Sequence, residues 1–312
     1  MDLTVALPEN PSSNGESNGA ENDRMNVHNS KRAKFTATYH HQDFSMSDSV
    51  IFYIAKNPKT CKLYQKMVKT CKYFFVKNPI LVIPYLSYYE FQWTIEQTPY
   101  DINQTTSTLW VAQGLTVSPA YSVSAEAKYQ SILTSFIPKV YRCDVLILSL
   151  LNQVISYHDL PLLISSAKDV IFDQVVVNHE DGSNVDLQKI VEIASKATWI
   201  NITHPTITSK TMEELLKIQH FPTLHVLTLQ NVPEVFDIEA FYIHMKKNET
   251  TCFRLFFDES ISVEYVKRLV EITDEIIATK EFDYKPAFFR FHGLDYQRRM
   301  KLYDICCNLK IL

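Results

Sequence analysis

Glycine is scarce, with five residues in a chain of 312, at positions 15, 19, 114, 182 and 293. No group of them has the spacing of a phosphate-cradling loop, a dinucleotide fingerprint or a Gly-x-Ser-x-Gly nucleophile turn. Each of those motifs needs glycine where the backbone bends sharply or approaches a ligand closely, so all three are excluded on spelling. The paired-histidine zinc signature His-Glu-x-x-His is also missing. Six cysteines, at 61, 71, 143, 252, 306 and 307, include no Cys-x-x-Cys pair, which points to reduced thiols rather than a zinc cage or a disulfide framework. No run approaches eighteen consecutive apolar residues, so no membrane-spanning helix is expected. No apolar run follows a basic start, so no secretory leader is expected either. These absences together predict a cytoplasmic or nuclear protein without a membrane partner.

What is present is ordinary for a globular chain: 46% hydrophobic residues, 21% charged and a net charge of −4. That balance does not suit a protein whose whole surface coats nucleic acid. Residues 1–46 are rich in Asn, Ser, Glu and Gly and too poor in apolar groups to offset chain entropy, so a disordered polar tail is expected. Lys31-Arg32-Ala33-Lys34 within it reads as a solvated charge cluster, with nuclear import as the alternative. At Ser47 the composition changes. Ser47 or Asp48 is placed to cap a helix carrying Val50, Ile51 and Ile54, and Asn57-Pro58 is placed to stop it and open a second helix from about Pro58 to Phe75. In that second helix Leu63, Met67, Cys71 and Phe74 step by four, four and three onto one face. Lys56, Lys59, Lys62, Lys66, Lys69 and Lys72 form a stripe, and no acid interrupts residues 50–78. Residues 79–139 resist assignment, although Ile80–Ile83 reads as a short strand or helix and Leu109–Val117 as a strand.

From about Val140 a period emerges. Phe221-Pro222-Thr223-Leu224-His225-Val226-Leu227-Thr228-Leu229 has the L-x-x-L-x-L spacing of a leucine-rich strand. Similar apolar alternations put an inward residue at 148, 175, 202, 229, 257 and 291, at intervals of 27, 27, 27, 28 and 34. Helical patterns lie between them, at 160–167, 187–196, 211–218, 238–246, 263–277 and 296–306. The expected fold class is therefore α/β: a leucine-rich-repeat-like solenoid arc over residues 140–312, preceded by a small helical module over 47–78 and the tail. An ordinary α/β layer with regularly spaced crossovers is the alternative. Outward strand residues, such as Val226, Thr228 and Gln230, would form any binding face; Arg254 and Phe256 compete for that position in the next strand.

Ser47 to Phe75 resembles an F-box, through a short helix, an Asn-Pro break and the pattern Val68-Lys69-Thr70-Cys71-Lys72-Tyr73-Phe74. With Phe221-Pro222-Thr223-Leu224 entering a leucine-rich strand, residues 47–312 are similar to the nematode F-box families of the F-box C type. That resemblance implies a substrate-recognition subunit of a Skp–cullin–F-box ubiquitin ligase. It would bind a Skp-family adaptor and cullin complex through one module and an unknown protein substrate through the other. Adaptor contacts would come from Val50, Ile54, Leu63, Met67, Cys71 and Phe74, some of which could instead form the module's own core. Such a receptor does no chemistry and acts by raising the effective concentration of a substrate lysine. A protein-interaction module with a degenerate F-box and no ligase role is the alternative. Nucleic-acid binding by the lysine stripe is a third and less favoured reading.

No catalytic residue, cofactor or metal is expected. Asn178-His179-Glu180-Asp181-Gly182 looks like part of a calcium loop but lacks the remaining ligand spacing, so Asp181-Gly182 reads as a turn. The acid pairs Glu213-Glu214 and Asp258-Glu259 read as complements to helix dipoles.

Overall fold

The computed structural model of the chain describes residues 37–40, 42–119 and 132–308. Most of the polar tail, the basic patch Lys31-Arg32-Ala33-Lys34 and the side chain of Cys307 lie outside the described residues. The chain divides into two compact units, Met1–Pro79 and Ile80–Leu312.

The first unit contains helices α1 (Asp48–Lys56), α2 (Cys61–Thr70) and α3 (Lys72–Lys77). This differs from the expected F-box-like pair, which required one unbroken helix from Pro58 to Phe75. Two local causes are visible. Asn57 closes α1, its side chain donating to Tyr53 O at 2.8 Å, and α2 starts only after its cap Thr60, whose hydroxyl accepts from the Leu63 amide at 3.1 Å. At the other end Thr70 donates its hydroxyl back to Lys66 O at 2.7 Å, a bond that competes with the helical ladder. Cys71 is then extended, at φ −148° and ψ 125°, before α3 begins. Buried Asn78 ties the three helices together. Its amide donates to Ala55 O at 3.0 Å, its backbone N–H to Phe74 O at 3.0 Å, and its carbonyl accepts from Tyr64 OH at 2.6 Å.

The second unit is built on an eleven-stranded sheet. Strands β1 (Ile80–Tyr89), β2 (Gln92–Ile95) and β3 (Thr98–Pro99) form an antiparallel meander at one edge. The chain then returns as β4 (Thr108–Ser118), parallel to β1. Much of the region expected only to link the two modules, between residues 80 and 118, therefore supplies strands of the sheet. Pro84 falls where the β1–β4 register shifts between Ile83 and Tyr85, a position where its missing N–H breaks no ladder bond. After α4 (Ile132–Phe136), the short β5 (Val140–Cys143) and β6 (Ile147–Leu151) pair end to end with β4. Strands β8 (Asp169–Asp173), β10 (Trp199–Thr203), β11 (Val226–Val232), β12 (Cys252–Phe257) and β13 (Phe288–Arg290) follow in parallel order. Between them come α5 (Leu160–Ile164), α6 (Leu187–Ile193), α7 (Thr211–Lys217), α8 (Ile238–Met245) and α9 (Val263–Ala278), and α10 (Tyr296–Asn308) comes last. A separate pair, β7 (Val154–Ser156) and β9 (Val176–Asn178), lies beyond the ends of β6 and β8.

The register makes one face of the sheet a continuous apolar layer. One row runs Leu86, Leu115, Leu148, Val170, Ile200, Leu227, Phe253, and each of these residues is at most 2% exposed. Helix residues such as Phe136, Leu163, Val191, Leu215, Phe241, Leu269 and Leu302 join the same core cluster. At roughly 1.5–3 kcal/mol per fully buried large apolar side chain, this layer is the main source of the unit's stability.

This architecture corrects the expected leucine-rich-repeat-like solenoid: it is a mixed α/β fold on one large, mostly parallel sheet. A solenoid stacks equivalent repeats. Here the strands range from two to eleven residues and the first three form an antiparallel edge. The equal intervals of 27 depended on Val175, which lies past β8. The true ladder residues are Leu148, Val170, Ile200, Leu227 and Phe253, and they are unevenly spaced. The helices after Val140, in contrast, begin and end within a few residues of their expected positions.

Candidate protein-recognition surface

Parallel sheets ordinarily carry helices on both faces. In this sheet the apolar layer faces the helices, and the opposite rows take no part in the core cluster. One opposite row runs Tyr85, Gly114, Ile147, Asp169, Trp199, Val226, Cys252. Within it Tyr85 is 47% exposed, Ile147 41% and Trp199 44%. The next row runs Ser87, Thr116, Ser149, Ile171, Asn201, Thr228, Arg254. Alternation along each strand produces this division, because residues i and i+2 share a face.

Two details shape the surface. Gly114 makes room for Tyr85: a Cβ at position 114 would stand 2.7 Å from the Tyr85 ring. The polar row is tied to the next, where Gln230 donates to the Asn201 side-chain oxygen at 3.2 Å. Arg254 brings positive charge to a row otherwise made of hydroxyls, an amide and one isoleucine. A surface of this kind, with large rings set beside short neutral donors and acceptors, has the composition of an interaction patch. It holds none of the converging acid–base pairs of a reaction centre.

At the carboxyl ends of four strands the backbone turns left-handed, at Asn152, Gln174, His204 and Asn231, with φ between 51° and 58°. Asn and His tolerate that region better than most residues. The Asn231 side-chain amide contacts the His204 ring. Asp258, at the end of β12, accepts from the Ser260 amide at 2.8 Å and from its hydroxyl at 2.5 Å. Those two bonds, with a smaller contribution from His204, hold its carboxyl below the usual range.

The residues expected to contact an adaptor are dispersed across the first unit. Val50 and Ile54 are on α1, Leu63 and Met67 on α2, Cys71 in the extended break and Phe74 on α3. Val50 and Leu63 are exposed and the other four are half-buried. The single helical face that grouped Leu63, Met67, Cys71 and Phe74 does not form, because α2 ends at Thr70. The solvent side of this unit is basic, with Lys59, Lys62, Lys66 and Lys69 all exposed opposite buried Tyr64.

Tyr85, Ile147 and Trp199 were not picked out from the sequence as surface residues. A signal for one of them was present: in Trp199-Ile200-Asn201-Ile202 the alternation puts Trp199 and Asn201 on the face opposite the isoleucines. Val226, Thr228 and Gln230 alternate with the inward residues as expected, but Thr228 is buried at 7% exposure and Val226 and Gln230 are half-buried. Arg254 and Phe256 also point outward, since Phe253, Leu255 and Phe257 are buried.

Other chemistry is limited. The buried Cys143 thiol is pushed up to about 12 by desolvation, so it is protonated at neutral pH and not a nucleophile. Glu213 and Glu214 occupy the first turn of α7 and share Lys217, both at 2.8 Å. Asp258 and Glu259, in contrast, lie in a turn before α9, whose cap is Ser262. Among the described residues no three His, Cys, Asp or Glu side chains are grouped to hold a metal ion, and no helix is long and apolar enough to cross a membrane.

Comparison with family models, with curated proteins and with solved structures found no match for this chain.

Proposed function

We propose that this chain is a non-catalytic recognition protein that holds a protein partner on the open face of its sheet. The observation that carries the reading is the exposure of Tyr85, Ile147 and Trp199 in one register row of a mostly parallel sheet. Leaving such rings in water is unfavourable, and a partner that covers them recovers roughly 25 cal/mol for each Å2 of apolar surface removed from water. The test compares proteins captured by wild type with those captured by the double variant Ile147→Asp, Trp199→Asp, after matched circular dichroism and melting. A defined set lost only with the variant supports the open face as the binding surface. Identical captures by both proteins would exclude it.

A role as the substrate receptor of a ubiquitin ligase is the finer form of this proposal and rests on the sequence resemblance. What supports a docking partner on the first unit is the exposure of Val50 at 45%, Phe52 at 48%, Tyr53 at 68% and Leu63 at 43%. Purified Skp-family adaptors test it. Retention by wild type and release by a folded Val50→Asp, Leu63→Asp variant supports the role, and no retention by wild type rejects it.

A further inference from the structure

Past the left-handed turns at Asn152 and Gln174, with φ 51° and 52°, β7 and β9 form their own short parallel pair. Beside it lies an open recess of about 630 Å3 lined by Tyr157, His158, Pro161, His179, Glu180 and Asp181. Its lining contains three rings and two carboxylates, and no lysine or arginine. The Tyr157 and His179 rings are inclined at 59°, with centroids 5.0 Å apart.

The recess is held by main-chain bonds. Tyr157 N–H donates to Asn178 O at 2.8 Å, His179 N–H to Ser183 O at 2.9 Å and Gly182 N–H to His179 O at 3.0 Å. Gly182 has φ +82°, which a side chain would resist. Asp181 accepts from the Ser183 amide at 2.9 Å and from its hydroxyl at 2.6 Å. These bonds hold its carboxyl below the usual range, so it is ionised at neutral pH. Glu180 is exposed and, among the described residues, has no ion-pair partner.

The face of Tyr157 attracts a cation, the carboxylates of Glu180 and Asp181 add to that attraction, and an anion is opposed by both. The volume exceeds what one side-chain head needs, which suits a ligand presented on a peptide. We infer that the recess binds an organic cation: the ammonium or guanidinium group of a lysine or arginine side chain on a partner protein. This assignment does not depend on the role of the open sheet face, which uses other residues.

The test is an amide NMR titration of the full chain at pH 8. The probes are Nα-acetyl-lysine amide, its Nζ-trimethyl form, Nα-acetyl-arginine amide, the uncharged Nα-acetyl-norleucine amide, and spermidine as a free polyamine. Saturating shifts confined to Tyr157, His158 and His179–Asp181 are expected with the amino-acid cations and not with norleucine. Tyr157→Leu should weaken binding roughly two- to fivefold, the equivalent of a surface cation–π contact. Glu180→Gln should weaken it by up to about fivefold. Both variants should leave the rest of the spectrum in place, which separates lost binding from lost fold. Shifts that do not saturate, or that norleucine reproduces, overturn the assignment. So does a saturating response to phosphate or Zn2+ without one to the cations. A response to spermidine alone rejects the side-chain source.

Discussion

His244 shows how one side chain reports on the packing around it. It lies half-buried on α8, with ring centroids 5.8 Å from both Phe221 and Phe253. Desolvation, and then the charge of Lys247, hold its imidazole below the ordinary value of 6.5. The unfolded chain therefore takes up this proton at a higher pH than the folded chain does. The stability linked to His244 is complete above about pH 6.5, declines as the pH falls below it, and stops changing once the folded imidazole is itself protonated. Urea unfolding between pH 5 and 8 should show wild type losing stability on acidification relative to His244→Phe, with the two curves parallel above pH 7. Parallel curves across the whole range would mean that the imidazole is not desolvated by these rings.

Single polar groups also link whole elements. In the first unit, Tyr64 OH reaches the carbonyl of Asn78, whose side chain holds the end of α1. Tyr64→Phe leaves that buried carbonyl without its donor and should cost about 1–3 kcal/mol, read as earlier loss of the helical signal in urea. A change within 0.3 kcal/mol would show that the tie is dispensable. The hairpins at the sheet edge pose the opposite case. Glu90 and Phe91, at φ 45° and 67°, and Glu96 and Gln97, at φ 49° and 68°, occupy two-residue turns that favour Asn-Gly. Each left-handed non-glycine residue costs roughly 1–2 kcal/mol. Phe91→Gly should therefore raise the midpoint of thermal unfolding, and a lower midpoint would mean that the exposed Phe91 ring contributes more than the strain removes.

These elements also mark what the sequence could convey. Helices α6 to α10 were legible because each sets apolar residues at helical spacing against polar ones, and α5 was legible as an apolar run. The strands were legible as alternations, but which alternation belonged to the ladder was not. Val175 is buried in the core but lies past the end of β8, while Val170 and Phe172 are the residues in the ladder. Residues 80–118 were opaque because Pro84, a residue that usually ends a strand, sits within β1 where the register shifts. The open face was half legible: Thr228 and Arg254 follow from alternation, but whether anything covers them depends on tertiary packing. The break at Cys71 depends on a hydroxyl returning to Lys66 O, which side-chain periodicity does not encode.

At the scale of the whole molecule, two surfaces of different character are present. One is the lysine-rich exterior of the first unit, where residues 49–79 contain no aspartate or glutamate. The other is the open face of the sheet, nearly neutral and rich in rings. Only the second is organised by the core itself, since each inward Leu, Ile or Val fixes the position of an outward neighbour. Truncation within the apolar row should cost about 2–5 kcal/mol, whereas substitution of the exposed Ile147 or Trp199 should leave stability within about 0.5 kcal/mol of wild type.

Three tryptophans allow this division to be read in a single experiment. Trp93, in the core cluster, is 7% exposed and Trp199 on the open face is 44% exposed, while Trp110, outside that cluster, is fully buried beside Tyr141 and Arg142. Hydroxyl-radical footprinting of the protein, alone and bound to a captured partner, would measure all three at once, together with Tyr85 and the exposed Tyr303 of α10. A recognition role for the open face requires that Trp199 and Tyr85 oxidise readily in the free protein and are protected severalfold in the complex, with Tyr303 unchanged. Unaltered oxidation of Trp199 and Tyr85 in a verified complex would contradict it and place the partner elsewhere on the molecule.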